Sequence, residues 1–343
     1  MAKSTILTGL RTNADYHLGN YLGAILPMVQ MARKHSSDYQ INMFIPDLHS
    51  FTTPIDFDTF YEQSIRNLKV FFAAGLPLDN ENVRVYRQSH VTAHSEMTVI
   101  LNNFTSFGQL SRMVEFKEKR ERIDEEFVSV GLFDYPVLMA SDILLYDAEY
   151  VPVGDDQRQH LELARDIAER FNNRFGETFV VPKTIKQQAE FFGIEEPLRI
   201  MSLQNPDKKM SKSIDDPNGT IMLFDEPSVA RKKVMSAVTD SVGSVNFDRV
   251  NQPGITNLLI LLAVLCGKSQ EEVNKEFTGM SQYGELKNAV ADQVELLLEG
   301  VQKTFAELDD VRIMEKLGQD ELYANEYSQK TLLKVQKAIG LRK

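Results

Sequence analysis

The chain has 343 residues, which is enough for two domains with separate cores. Its composition of 43% apolar and 25% charged residues is that of a folded globular protein and not of a disordered one. The formal net charge of −11 argues against bulk, non-specific nucleic-acid binding, although a local basic surface for one structured RNA stays compatible with it.

The composition also limits covalent and membrane chemistry. The single cysteine, Cys266, excludes an internal disulfide and a thiolate metal cluster, and the apolar run around it predicts a buried side chain. No stretch approaches the ~20 apolar residues that cross a bilayer. Strand pattern begins so early that we expect no signal peptide and a cytoplasmic protein.

Strand and helix patterns alternate in the first half of the chain. They predict strands over residues 4–8, 41–45, 83–86 and 150–154, and helices over residues 17–34, 57–74, 93–103 and 156–171. Within the first helix, Pro27 predicts a kink or an early stop, because it removes the hydrogen bond to the carbonyl of Gly23. The alternation predicts an α/β domain with a parallel sheet and helices on its faces.

Two parts of the chain depart from this alternation. Residues 104–135 are highly charged and are predicted to be an insertion. Beyond residue 225 the pattern is helical, over residues 226–239, 254–265, 270–277, 284–309 and 321–338. We therefore expect an α/β domain over residues 1–224 and an all-helical domain over residues 225–343, whose last helix could pack back on the first domain.

A first short signature, His17-Leu18-Gly19-Asn20, stands where a strand and a turn lead into a helix. The free N–H groups and the positive dipole end of a helix start attract an anion. Gly19 would let the backbone approach a flat adenine or ribose, and His17 and Asn20 could donate hydrogen bonds to phosphate oxygens. A four-residue pattern of this kind is common by chance.

A second signature, Lys209-Met210-Ser211-Lys212-Ser213, lies in a polar stretch far downstream. Such a loop supplies mobile cations and hydroxyl donors that can close over a leaving pyrophosphate. By itself a Lys/Ser run is usually a solvated loop. The two signatures in this order indicate a site that holds the phosphates of ATP from two sides.

These residues resemble the class I aminoacyl-tRNA synthetases, whose late motif is matched letter for letter at Lys209–Ser213. The early motif is matched in a variant form at His17–Asn20, with Asn in place of the last His. The resemblance narrows to the bacterial tryptophanyl members and runs from about Thr5 to Leu341. It is carried there by Tyr135–Tyr146, Val151–Gln157, Ala237–Ser241 and Pro253–Leu259. It implies a Rossmann-like nucleotide-binding domain followed by a helical domain that reads the tRNA anticodon.

The resemblance also implies an ATP site. Its catalytic members would be His17 and Asn20 on the α-phosphate side, and Lys209 and Lys212 on the pyrophosphate. The full set of implied ATP-binding residues is Arg11, Thr12, His17, Gly19, Asn20, Lys119, Gly154, Asp156, Met201, Lys209, Met210, Ser211, Lys212 and Ser213. Arg11 stands where the family usually carries glutamine, and it could reach a phosphate or the substrate carboxylate, or be a neutral variation. No metal-ligand cluster is visible, so Mg²⁺ is expected to travel with ATP.

A pocket for an indole needs apolar walls and one acceptor for the ring N–H. The resemblance places that acceptor at Asp142, on a predicted helix, with Met139 three residues earlier on the same face as a wall. The full set of implied tryptophan-binding residues is Leu7, His49, Tyr135, Met139, Asp142, Val151, Val153 and Gln157. Tyr135 and Gln157 would hold the α-amino group. Met139 favours tryptophan, because tyrosyl enzymes carry glutamine there.

The resemblance therefore implies an enzyme that joins L-tryptophan to tRNA(Trp) through a tryptophanyl-adenylate, releasing AMP and pyrophosphate. It also implies a homodimer with one tRNA across both subunits. Weak candidates for tRNA contact are the basic residues Arg231, Lys232, Lys233, Lys330, Lys334 and Lys337. Three alternatives stay open: a tyrosyl-type synthetase, a small-molecule adenylyltransferase, and a non-catalytic paralogue that senses tRNA or tryptophan.

Overall fold

The structure is a computed structural model that describes residues 3–10, 12, 15–53, 55–120, 128–193, 198–211 and 216–343. For Lys119 and Asp155 it describes the backbone only. Three predicted ATP-site residues, Arg11, Lys212 and Ser213, and the side chain of Lys119 lie outside the described residues.

A parallel sheet of four strands forms the centre of the N-terminal half, as predicted. The strands are β1 (Thr5–Gly9), β2 (Gln40–Ile45), β3 (Val83–Arg87) and β4 (Ala148–Tyr150), in the spatial order β3-β2-β1-β4. Successive residues of a strand point to opposite faces. In β1 and β2 both faces are buried, which explains why apolar residues occupy successive positions there.

Helices account for most of the remaining described structure. They are α1 (Leu18–Asn20), α2 (Leu26–His35), α3 (Asp47–Ser50), α4 (Phe60–Ala73), α5 (Ala93–Asn102), α6 (Phe107–Leu110), α7 (Val114–Arg120), α8 (Val130–Leu144), α9 (Arg158–Phe175), α10 (Ile185–Phe192), α11 (Pro227–Met235), α12 (Pro253–Cys266), α13 (Gln270–Phe277), α14 (Tyr283–Glu307) and α15 (Asp310–Ala338). Five of them, α11 to α15, follow residue 225, so the second half is helical as predicted.

The two faces of the sheet are covered by different helices. On one face Ile6 and Met43 pack in a core that includes α2 and α4. On the other face Leu7, Phe44 and Tyr86 pack in a core that includes α5, α8 and α9. The chain changes face between β3 and β4, and the strand order reverses beside β1. A crevice is expected at the carboxyl ends of the strands at such a reversal.

The first helix differs from the prediction at Pro27. The chain does not stop there but continues from α1 through a π-helical turn, Tyr21–Ile25, into α2. In this turn the N–H of Leu26 donates to the carbonyl of Tyr21, one residue further back than in an α-helix. Pro27 then occupies the start of α2, where its missing N–H costs little.

Three predicted element positions are corrected by the structure. The fourth strand ends at Tyr150 and does not run over residues 150–154, because the N–H of Val151 donates to the Gln188 side chain (3.0 Å) and Pro152 has no N–H. Helix α8 begins at Val130, inside the predicted insertion. Helix α15 begins at Asp310, eleven residues before the predicted start.

The prediction that Cys266 is buried is wrong. It is the last residue of α12 and is exposed, while the preceding apolar residues of that helix point into the core. Gly267, with φ of +62°, ends the helix immediately afterwards. No helix within the described ranges is both long enough and apolar enough to span a membrane.

Helix α15 returns to the sheet and covers the free edge of β3. The Lys316 ammonium donates to the carbonyl of Val83 (2.8 Å), and the Asp320 carboxylate accepts from the N–H of Val85 (2.8 Å). An edge strand has backbone groups without a neighbouring strand, and here helix side chains satisfy them. The end of the helical half is thereby fixed to the strand that leads into the crevice.

Candidate active site

A cavity of about 460 Å³ opens at the carboxyl ends of β1 and β4, where the reversal of strand order predicts a ligand site. All eight predicted tryptophan-binding residues line it, namely Leu7, His49, Tyr135, Met139, Asp142, Val151, Val153 and Gln157. Thr12, Gly154 and Asp156 of the predicted ATP set also line it. The structure thus brings together residues that lie up to 150 positions apart in the chain.

Asp142 is the buried carboxylate of this cavity, with 1% of its surface exposed. Its Oδ2 lies 2.8 Å from Nε2 of His49, and its Oδ1 lies 2.7 Å from both Nε2 of Gln88 and Nδ1 of His94. Burial by itself would raise the pKa of Asp142, but the hydrogen bonds from His49 and His94 outweigh burial and lower it. The group is therefore a carboxylate, which can only accept hydrogen bonds.

Sequence reasoning missed Gln88 and His94, although a signal for both was present. Gln88 directly follows β3 at the carboxyl edge of the sheet, and His94 lies in the first turn of the helix that follows. Polar residues just beyond a buried parallel strand face the crevice of this fold class. Both side chains are fully buried, so they contact Asp142 from behind the cavity surface.

The other end of the cavity has polar groups suited to a substrate ammonium. The hydroxyl of Tyr135 lies 2.9 Å from Nε2 of His160. Burial raises the pKa of Tyr135, and the negative charges of Glu115 and Asp156 raise it further, so the phenol stays neutral. The Gln157 amide donates to the Asp156 carboxylate (2.8 Å). The carboxylates near Tyr135 favour a positively charged ligand group.

His17 and Asn20 cap the start of the first helix, because the side chain of each accepts a hydrogen bond from the backbone N–H of the other. Nδ1 of His17 accepts from the N–H of Asn20 (3.2 Å), and the Asn20 side-chain oxygen accepts from the N–H of His17 (3.2 Å). Burial and, to a smaller extent, the charge of Lys209 together lower the pKa of His17 to about 4. A neutral ring whose Nδ1 accepts must carry its proton on Nε2, so His17 is a hydrogen-bond donor there.

Gly19 lies in close packing beside His17. A Cβ atom at this position would stand 3.1 Å from Nδ1 of the His17 ring and 3.5 Å from Cβ of Ile200. A side chain at this position would therefore require the His17 ring to move by a few tenths of an ångström.

The segment with Lys209 forms a short hairpin against the segment with Met201. The N–H of Met210 donates to the carbonyl of Ile200 (3.0 Å), and Met201 and Lys209 form an isolated antiparallel bridge. The side chain of Met210 is 1% exposed and packs in the core, so only its backbone could reach a ligand. The carbonyl of Ser211 accepts from the Thr220 hydroxyl (3.1 Å).

One side chain of α12 anchors this hairpin. The amide of Asn257 accepts from the N–H of Met201 (2.9 Å) and donates to its carbonyl (3.0 Å), as a neighbouring strand would. Asn257 is 2% exposed. The position of the hairpin is therefore set by the helical half of the chain, which sequence reasoning did not predict.

Thr12 supplies a buried donor that faces the cavity. The Asn67 amide fixes its carbonyl (2.7 Å), and its hydroxyl has no hydrogen-bond partner among the described residues. An unpaired buried hydroxyl costs free energy unless a ligand or water satisfies it. This geometry fits a group that donates to a bound phosphate or carboxylate.

The model of the family "tRNA synthetases class I (W and Y)" matches residues 1–299. The chain belongs to this class I synthetase family. It is 43% identical to the tryptophan–tRNA ligase of Caldanaerobacter subterraneus subsp. tengcongensis over 336 residues, 98% of either chain. The tryptophanyl-tRNA synthetase of Mycoplasma pneumoniae has a similar structure, with a TM-score of 0.81, 30% identity, and 99% and 98% of the two chains covered.

A further class I synthetase structure contains ligands. It is the tryptophanyl-tRNA synthetase of Campylobacter jejuni complexed with ADP and tryptophan, with a TM-score of 0.78 and 31% identity, covering 98% of this chain and 99% of that one. The resemblance to the tryptophanyl members of the family and the predicted Rossmann-like fold with a helical half are thus confirmed.

The basic residues that were predicted to contact tRNA fall into two groups. Arg231 forms ion pairs with Asp292 (2.5 Å) and Glu295 (2.7 Å), and Lys233 forms one with Asp225 (2.7 Å). The remaining candidates are exposed to solvent, namely Lys232, Lys330, Lys334 and Lys337. The last three follow one face of α15 at spacings of four and three residues. They stay predictions as tRNA contacts.

Proposed function

We propose that this chain is a tryptophan–tRNA ligase. It joins L-tryptophan to ATP to give tryptophanyl-adenylate and pyrophosphate, and then transfers the tryptophanyl group to tRNA(Trp), releasing AMP. The observation that carries this proposal is the Asp142 carboxylate, buried in the wall of a class I synthetase cavity that Leu7, Phe44 and Met139 also line. An acceptor at that depth suits a ligand whose single polar ring group is an N–H donor.

The activation step needs no nucleophile from the protein, because the carboxylate of tryptophan attacks the α-phosphorus. Catalysis then consists of placement and of stabilising charge on the phosphates. The Nε2–H of His17, the side-chain N–H₂ of Asn20 and the hydroxyl of Thr12 are the donors for the α-phosphate side. Each is held by a hydrogen bond that leaves the donor group available to the ligand.

The pyrophosphate side is assigned to Lys209 and Lys212 of the second signature. Lys209 influences the pKa of His17 through its charge, so the two signatures are electrostatically coupled. Within the described residues no group of three or more metal-ligating side chains converges. We propose that Mg²⁺ enters with ATP and is bound through phosphate oxygens.

We also propose a cytoplasmic homodimer that binds tRNA(Trp) through the helical half. An exposed apolar surface supports the dimer: Phe107 is 76% and Val130 81% exposed, and Phe107 packs on Phe133 with ring centroids 4.9 Å apart. Neighbouring exposed apolar side chains favour association with another protein surface. Two-fold symmetry is the most common solution for such a surface.

Exchange of labelled pyrophosphate into ATP tests the proposed activity. Exchange should require tryptophan and should not be supported by tyrosine. Lys209→Ala should lower the exchange rate by about a hundredfold with little change in tryptophan affinity, because it acts on transition-state charge. The neighbouring exposed residue gives a matched control, and Lys208→Ala should retain the rate.

Each alternative function predicts a different outcome of this assay. A tyrosyl-type enzyme would exchange with tyrosine. A small-molecule adenylyltransferase would need neither amino acid, and a non-catalytic sensor would bind tryptophan without any exchange. Any of these three results would overturn the proposal.

A further inference from the structure

Asp142 is surrounded by donors from three different elements. His49 lies on α3 and lines the cavity, with 18% of its side chain exposed. Gln88 follows β3, His94 lies on α5, and both are fully buried and absent from the cavity wall. The carboxylate is thus approached by one donor from the cavity side and by two from the protein interior.

The two interior donors both occupy the same carboxylate oxygen. Gln88 Nε2 and His94 Nδ1 each lie 2.7 Å from Oδ1, whereas His49 Nε2 lies 2.8 Å from Oδ2. A carboxylate offers about four lone-pair positions, two on each oxygen. Oδ1 is therefore saturated, and the open position lies on Oδ2, the oxygen shared with the cavity-lining His49.

The interior donors are themselves held in place. The side-chain oxygen of Gln88 accepts from the N–H of Leu48 (3.1 Å), which orients its amide N–H₂ toward Asp142. Nε2 of His94 lies 3.0 Å from the hydroxyl of Tyr146. Because a carboxylate only accepts, Nδ1 of His94 must carry a proton. Neither donor can turn away from Oδ1 without losing a second buried hydrogen bond.

We propose that Gln88 and His94 are positioning residues that saturate Oδ1 of Asp142 and so present Oδ2 to the indole N–H. They set the preference for tryptophan over an isostere that lacks the ring N–H, without touching either ligand. This inference rests on the proposed function, since it takes tryptophan to be the ligand of the cavity.

The test compares tryptophan with 3-benzothienylalanine, in which sulfur replaces the indole N–H. Wild-type enzyme should prefer tryptophan by about ten- to a hundredfold in kcat/KM for pyrophosphate exchange. Asp142→Ala should abolish the preference. His94→Leu and Gln88→Met each remove a donor to Oδ1 and should lower the preference at least about fivefold, mainly through the KM for tryptophan.

Two conservative variants act as controls. In His94→Asn the amide nitrogen takes the place of Nδ1, so the preference should return toward the wild-type value. Ser141→Ala removes a fully buried hydroxyl that bonds to Val137 and Thr98 and to none of the three donors, and it should change the preference less than about twofold. If His94→Leu does not fold, Gln88→Met makes the same test, because it removes a donor to the same oxygen with nearly the same volume.

The outcomes separate this inference from the proposed function. The inference alone would be overturned if folded His94→Leu or Gln88→Met enzyme kept the wild-type preference. The same conclusion would follow if either variant lost kcat/KM equally for the two amino acids. A wild-type enzyme that exchanges with tryptophan but shows no preference over the analogue would also overturn the inference alone, whereas a wild-type enzyme without tryptophan-dependent exchange would overturn the proposed function and this inference with it.

Nitrogen-15 NMR of histidine-labelled wild-type enzyme gives an independent readout. The chain has six histidines, so the Nδ1–H signal of His94 can be assigned by its loss in His94→Asn. That proton should exchange slowly with solvent and should shift on binding tryptophan more than on binding the analogue. A signal that exchanges rapidly, or that responds equally to both ligands, would contradict the positioning role.

Discussion

At the scale of single residues, the chemistry of His17 is set by how it caps a helix. Its Nδ1 is occupied by the backbone of Asn20, and its ring is 6% exposed. Burial and the charge of Lys209 lower the pKa of His17 to about 4. The ring is therefore neutral near pH 7 and acts as a hydrogen-bond donor and not as a cation.

This low pKa predicts how stability depends on pH. The unfolded chain binds the His17 proton below about pH 6.5, whereas the folded chain binds it only near pH 4. Protonation thus favours the unfolded state, so the contribution of His17 to stability is present above pH 6.5 and is lost as the pH falls toward 4. Between pH 7 and pH 5, wild type should lose about 2 kcal/mol more than His17→Asn, which keeps a capping side chain.

Urea unfolding at the two pH values measures this difference. From pH 7 to pH 5, the urea concentration at the midpoint of unfolding should fall more for wild type than for the variant. The dependence of the unfolding free energy on urea should be equal in the two proteins. Equal losses of stability in the two proteins would show that His17 titrates normally in the folded state.

Residues of the site were predictable from the sequence when a short motif carried them. Asp142 and the other seven tryptophan-set positions line one cavity, and their contact with tryptophan stays a prediction. The contacts of Gln88 and His94 with Asp142, and of Asn257 with Met201, were not predicted, because these side chains act on other residues and not on the ligand. Their roles follow from which atoms face each other in three dimensions, and a linear pattern does not contain that information.

At the scale of elements, α15 stabilises the free edge of the sheet with charged side chains. Asp320 is 1% exposed, accepts from the N–H of Val85, and forms ion pairs with Arg84 and Lys316 (both 2.9 Å). The three donors offset the free-energy cost of burying this carboxylate. Its removal leaves two cations and a backbone N–H without their carboxylate partner.

Asp320→Ala should therefore lower the free energy of unfolding by about 3 kcal/mol. The matched control is an exposed ion pair of similar length, Lys268 with Glu276 (2.8 Å), whose side chains are 46% and 49% exposed. Glu276→Gln should change the free energy of unfolding by less than about 0.5 kcal/mol. Chemical denaturation of both variants makes the comparison, and similar small losses would mean that α15 contributes little at this edge.

The errors in the predicted elements have tertiary causes. The strand at Tyr150 is cut short because a glutamine side chain replaces a strand partner at Val151. The first eleven residues of α15 were missed because the buried Asp320 interrupts the apolar spacing that Ile313 and Leu317 begin. The spacing of apolar residues along a sequence reveals the buried face of a helix only when the buried residues are apolar.

At the scale of the whole molecule, one hydrophobic core crosses the predicted boundary at residue 225. The core that contains Ile6 of β1 also contains Val234, Leu258 and Leu298 of the helical half. The helical half also fixes the Met201 hairpin through Asn257 and the edge of β3 through α15. The helical half is thus attached both to the hairpin that carries the second signature and to the edge of the sheet, while the division into two domains stays a prediction.

The chain contains no tryptophan, and this gives a direct assay of the whole assembled site. With excitation at the red edge of protein absorption, where tyrosine absorbs little, all emission should come from bound or free tryptophan. Transfer of an indole from water into the cavity beside Met139 and Val153 should shift that emission. Titrating tryptophan with enzyme should therefore give a saturable spectral change, and adding tyrosine should leave it unaltered.

In the same titration, the apparent affinity of Asp142→Ala for tryptophan should be about tenfold weaker than that of wild type, since the indole N–H loses its charged acceptor. An emission spectrum that does not respond to saturating enzyme, or that reverts when tyrosine is added, would show that the cavity does not select tryptophan.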